Sequence, residues 1–118
     1  KTGGFRVQGR EHEAAAQMLE TAKRLESAGA DMVLLECIPS DLGKAIADEL
    51  HVPVIGIGAG PGTDGQILVL YDILDITTGR KPRFVQNFMQ GAADNREALK
   101  RYVEAVRSGA YPAPEHCF

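Results

Sequence analysis

Apolar residues recur every three or four positions between Glu11 and Ala28, at Ala15, Met18, Leu19, Ala22 and Leu25, which predicts a helix with one buried stripe. Gly29 is the expected stop, because glycine readily takes the left-handed conformation that closes helices. The run "ADMVLLEC" is then almost continuously apolar between turn residues, the pattern of a short strand buried on both faces. Pro39 suits the first turn of a helix, where the missing N–H costs nothing. Leu42, Ala45, Ile46 and Leu50 supply that helix's inner stripe. "HVPVIGIGAG" follows as a second short strand running into glycines. Helices and strands in alternation, joined by a few residues each, predict parallel strands with right-handed helical crossovers. The fold class is α/β.

Beyond the glycines the pattern is less direct. "DGQILVLYDILDI" is rich in apolar and β-branched residues, but a parallel crossover takes about a dozen residues or more. A strand directly after "VIGIGAG" is therefore disfavoured. The expectation is a helix capped by Asp64, with a short third strand at Arg83–Val85. The last helix is clearer. Asp94 and Glu97 have the spacing of a capping box, Leu99, Tyr102, Val103 and Val106 share one face, and Gly109 ends it. Pro112 and Pro114 in the closing "AYPAPEHCF" argue for a tail lying extended on some surface.

Composition narrows the classes of function. Thirteen Lys plus Arg against sixteen Asp plus Glu leave a net charge of −3, with no block of like charge that would bind a polyanion. Nucleic acid is not an expected partner. The apolar runs are far shorter than the roughly 18 residues a membrane span needs, and no cleavable signal is evident, so a cytoplasmic location is expected. Cys37 and Cys117 are the only cysteines, far apart in sequence and without the spacing of a disulfide framework or zinc site. Both read as reduced thiols.

The candidate chemistry centres on Glu36, in "LLECIP". It stands at the carboxyl end of a predicted strand, the edge where parallel α/β sheets and barrels bind ligands. Apolar neighbours Leu34, Leu35 and Ile38 would partly desolvate it, raising its proton affinity and suiting it as a general base. A structural ion pair with Arg6 or Arg10 is the competing reading. Cys37 beside it is better explained by packing than as a nucleophile, since no histidine is near in sequence to activate it. "GIGAGPGTDGQ" satisfies G-x-G-x-x-G through Gly60, Gly62 and Gly65, yet it lacks the following strand with its acidic residue that dinucleotide binding requires. It serves equally as a close approach to a small ligand or as a tight exit from a strand. His12 and His51 read as surface or capping residues, and His116 as an interface contact. Lys1, Arg6 and Arg10 in a glycine-rich loop either attract an anion or are simply solvated.

Taken together, "GGFRVQGR", "AGADMVLLECIP", "VPVIGIGAGPGTDGQILVLYD" and "YPAPEHCF" resemble ketopantoate hydroxymethyltransferase, in the same order and with similar spacing from Gly3 to Phe118. The family's closing motif usually reads "EHSF", so Cys117 departs from it. The resemblance implies the carboxyl-terminal part of a (β/α)8 barrel of the phosphoenolpyruvate mutase type, a homodecamer in many members. It implies transfer of a one-carbon unit from 5,10-methylenetetrahydrofolate to 3-methyl-2-oxobutanoate, giving 2-dehydropantoate in pantothenate biosynthesis. Glu36 then corresponds to the family's proton acceptor. The family's Mg2+ ligands and oxo-acid contacts belong to amino-terminal motifs that do not occur here. Residues 1–118 are thus expected to be one partial domain of a longer product, inactive alone, since a (β/α)8 barrel takes about 250 residues. Two other readings stay open: a small flavodoxin-like ligand-binding module, and a related metal-dependent oxo-acid lyase.

Overall fold

The computed structural model describes residues 6–118. Helix α1 spans His12–Ser27, strand β1 Val33–Glu36, helix α2 Ser40–Glu49 and strand β2 Val54–Ile57. The two strands pair in parallel, Val33 with Val54 through Glu36 with Ile57. The predicted alternation is thus present.

Both helices cover the same face of this pair. Ala22 from α1 and Leu42, Ile46 and Leu50 from α2 form one buried cluster with Val33, Leu35 and Val54. Dehydrating such a side chain completely stabilises the fold by about 1.5–3 kcal/mol. The opposite face is less covered: β1 alternates buried and exposed, and Leu34 is 54 % exposed. Burial of β1 on both faces is therefore corrected, because α1 and α2 pack only from the side of Val33 and Leu35. Leu25 lies beside Leu34 at this uncovered edge and is exposed as well. In α2, Ala45 is exposed and Gly43 takes its place inside, so close to the loop after β2 that a Cβ on Gly43 would stand 2.4 Å from the Ala59 carbonyl oxygen.

The third strand is not at Arg83–Val85. Strand β3, Gly65–Gln66, pairs in parallel with β2, Ile55 opposite Gly65 and Gly56 opposite Gln66. β3 follows β2 without a long crossover because it is only 2 residues long and its register lies back towards the middle of β2. Gly58 and Gly60, with φ of 67° and 80°, turn the chain within the connection, as glycine does at no steric cost. Asp64 caps no helix. Its Oδ2 accepts from the Val54 N–H at 2.8 Å, and its own N–H donates to the Val54 carbonyl at 2.8 Å, clamping the start of β2. Helix α3 is confined to Leu70–Ile73. Arg83–Val85 is a turn closed by the Val85 N–H on the Pro82 carbonyl.

Helix α4, Asn95–Ser108, begins as predicted: the Asp94 carboxylate accepts from the Glu97 N–H at 2.8 Å, and Gly109 closes it at φ 82°. Its inner face, however, is Ala98, Tyr102, Ala105 and Val106, while Leu99 and Val103 are 37 % and 41 % exposed. Tyr102, Phe88 and Tyr111 pack edge to face around it, which favours the smaller Ala98 at the tightest point. The tail is not extended throughout. Tyr111 and Pro112 are buried across a cis peptide bond, and Pro114–His116 form a 3-10 turn. The Tyr111 hydroxyl donates to the Phe84 carbonyl, so the tail is fastened to the Arg83–Val85 turn.

Candidate active site

Glu36 is the last residue of β1 and is exposed, on the same strand face as Leu34. Leu35 and Ile38, expected to enclose it, are buried on the helix side. The expected desolvation of Glu36 is not seen: it is exposed, alternation turns Leu35 to the other face, and the chain turns at Cys37, φ 55°, before it reaches Ile38. Among the described residues it makes no salt bridge with Arg6 or Arg10. The structural ion pair has no support there.

The chain leaves β1 abruptly. Cys37 takes φ 55°, uncommon for a residue with a side chain. Its N–H donates to the Ile57 carbonyl at 2.8 Å, and its carbonyl accepts from the Gln8 N–H at 2.9 Å. Residues 6–10 are thereby tied across the strand end. The Cys37 side chain packs with Ile57 and Phe84. Burial pushes its thiol above the usual range, the Glu36 charge adds to this, and Arg10 opposes it. The thiol stays protonated near neutral pH, as a packing residue should.

The glycine-rich loop is filled by its own protein. A Cβ on Gly58 would lie 2.6 Å from Phe84, and one on Gly60 2.5 Å from Ser40. The Gln66 side-chain amide donates to the Gly60 carbonyl at 2.8 Å. These glycines serve the close approach of α2 and Phe84, and they do not form an open cradle for a dinucleotide.

Of the remaining candidates, Lys1 lies outside the described residues, and Arg6 and Arg10 are exposed. Arg10 borders a cavity of about 770 Å³ beside Ser40 and Phe118. His12 and His51 are exposed, and the His51 ring stands 3.7 Å from Glu26. His116 is buried within the chain: its Nδ1 accepts from the Ala113 N–H at 2.9 Å and its ring lies 4.9 Å from that of Tyr111. That bond assigns the ring proton to Nε2. Among the described residues, no group of three or more His, Cys, Asp and Glu is placed to hold a metal ion. The residues described here do not fit the Mg2+ that the resemblance implies, and no step is assigned to it.

One feature of the rim escaped the sequence reading. Arg80, Lys81 and Arg83 line a cavity of about 440 Å³ together with Val7, Cys37 and Phe118. The signal was "GRKPR" at 79–83, too short to register as a charged block.

The sequence profile for ketopantoate hydroxymethyltransferase matches residues 1–114. The chain belongs to that family. It is 61 % identical over 118 residues to the 3-methyl-2-oxobutanoate hydroxymethyltransferase of Alkalilimnicola ehrlichii, covering all of this chain and 43 % of that protein. It is 55 % identical to enzyme 2 of that name in Hahella chejuensis, again over the whole chain and 45 % of the relative. The probable 3-methyl-2-oxobutanoate hydroxymethyltransferase of Schizosaccharomyces pombe is 53 % identical over 116 residues, 98 % of this chain and 43 % of its own length. The chain thus spans less than half the length of these ketopantoate hydroxymethyltransferase relatives. Among the described residues, no helix is long and apolar enough to cross a membrane.

Proposed function

We propose that this chain forms part of an enzyme that transfers a one-carbon unit from 5,10-methylenetetrahydrofolate to 3-methyl-2-oxobutanoate, giving 2-dehydropantoate, with Glu36 as the proton acceptor. The position of Glu36 carries the reading. It is an exposed carboxylate at the carboxyl end of a parallel strand, on the face that the helices leave uncovered, where α/β folds present catalytic groups.

Glu36 takes the proton from C3 of the oxo acid, and the electron pair left behind spreads onto the 2-oxo oxygen as an enolate. Both carbon–nitrogen bonds of the folate methylene break, and C3 and the oxygen of a water molecule take the nitrogens' places on that carbon. The protons from C3 and from water restore the two folate N–H groups. In this reading β1, β2 and β3 are the last strands of a (β/α)8 barrel, and residues 1–118 are one part of that domain. The complete protein is a cytoplasmic homodecamer whose magnesium ligands lie outside this chain.

The test uses a full-length hybrid in which this chain replaces the matching segment of the Alkalilimnicola ehrlichii relative. Deuterium exchange at C3 of 3-methyl-2-oxobutanoate, followed without folate, isolates the proton transfer. Glu36→Gln should slow it about 10²-fold or more, the usual contribution of a general base. Exchange at the unsubstituted rate would remove Glu36 from that role. Formation of product that depends on folate separates the transferase from a lyase of similar architecture.

A further inference from the structure

We propose that the cavity bordered by Arg80, Lys81 and Arg83 is the subsite for the glutamyl carboxylates of the folate co-substrate; this rests on the transferase reading above. Three cations fall within four consecutive residues, and among the described residues no Asp or Glu side chain lines the cavity with them. Lys81 is partly neutralised by Asp75, its Nζ 3.2 Å from Oδ1. Arg80 makes no salt bridge among the described residues. Arg83 is held in place and makes no salt bridge among the described residues: its Nη1 donates to the Cys117 carbonyl at 3.3 Å, and its guanidinium lies 5.2 Å from the centre of the Phe118 ring. A guanidinium has five donors, of which the described residues engage one at Arg83, and its fork fits a planar carboxylate.

Location selects the reactant. Cys37, which also lines the cavity, directly follows Glu36, so the cavity begins one residue along the chain from the proposed base and does not contain it. The oxo acid has one carboxylate, two bonds from the carbon that loses its proton, and must keep that carbon at Glu36. The folate carries its carboxylates at the far end of an aminobenzoyl spacer, away from the reacting methylene. A cavity of about 440 Å³ lined by Val7, Cys37, Phe118 and the three cations suits the end of such a tail. Several cations in a row also suit a tail of several glutamates.

Calorimetric titration of the hybrid with tetrahydrofolate, as monoglutamate and as triglutamate, tests this directly. Arg80→Ala combined with Arg83→Ala should weaken binding about ten-fold or more, as expected for lost charged hydrogen bonds, and should abolish any advantage of the triglutamate. Added salt should weaken binding to the unsubstituted hybrid more than to the variant. Arg83→Lys, which keeps the charge and loses the fork, should fall between the two and guards against a loss caused by misfolding. Folate affinity unchanged in the double variant overturns the subsite, as does a loss of oxo-acid affinity in place of folate affinity. Folate-free deuterium exchange reports on Glu36 alone, so failure of the base and failure of the subsite are separately visible.

Discussion

Replacing Gly58 by Ala tests whether the strand-end loop is held shut by packing. Gly58 sits at φ 67°, and an added Cβ would meet three ring carbons of Phe84, the nearest at 2.6 Å. Phe84 is buried and cannot swing into solvent without opening the cluster it shares with Cys37 and Ile57. The left-handed backbone costs a residue with a Cβ about 1–2 kcal/mol, and forcing extra volume into a packed core about 1–3 kcal/mol. Together these predict a loss of about 2–5 kcal/mol. Gly109→Ala is the control: its φ is 82°, but nothing lies within 4 Å of the added carbon, so only the backbone cost of about 1–2 kcal/mol applies. Urea midpoints of the hybrid, followed by far-UV circular dichroism at one protein concentration and compared at unchanged slope, read both. If Gly58→Ala costs no more than Gly109→Ala, Phe84 is not pressed against the loop and the filled-loop interpretation is wrong.

Further expectations concern the core and two titrating groups. Ile46→Ala empties a position that is 0 % exposed between the sheet and α1 and should lower stability by about 2–5 kcal/mol in the same urea assay; a loss below about 1 kcal/mol would mean that the site collapses freely. Glu26 is held below the ordinary carboxylate value of 4.5, first by the His51 backbone N–H. A lowered folded value gives stability that is present above the unfolded value and is lost as pH falls through the folded one. Glu26→Gln should therefore lower the urea midpoint at neutral pH, and the gap should close on acidification; a gap independent of pH would refute the linkage. Native Cys37 should react with iodoacetamide far more slowly than in urea, and Glu36→Gln should speed it modestly by removing one cause of its raised pKa. Equal native and unfolded rates, read by peptide mass spectrometry, would contradict its burial.

The helix–strand alternation, the start and stop of α4, and the placing of Glu36 at a strand end were all legible in order and spacing. These features depend on neighbours a few residues apart, where periodicity and capping act directly. β3 was hidden because it is only 2 residues long and its pairing depends on β2's free edge, not on its own composition. Asp64 looked like a helix cap because the chemistry that caps a helix also satisfies a strand's N–H. The cations at 79–83 were visible as letters, but only folding brings them to one cavity with Cys37.

By itself, then, the sequence determined the α/β class, the family resemblance and the identity of the candidate base, because each is written in residues close together or in motifs kept in order. Only the tertiary structure decided that Glu36 is exposed and unpaired among the described residues, that the glycine loop is filled by Phe84 and Ser40, and that His116 is buried. Those outcomes depend on which faces are covered and on which distant segments share a volume. Long-range packing sets both, and local pattern carries little information about it.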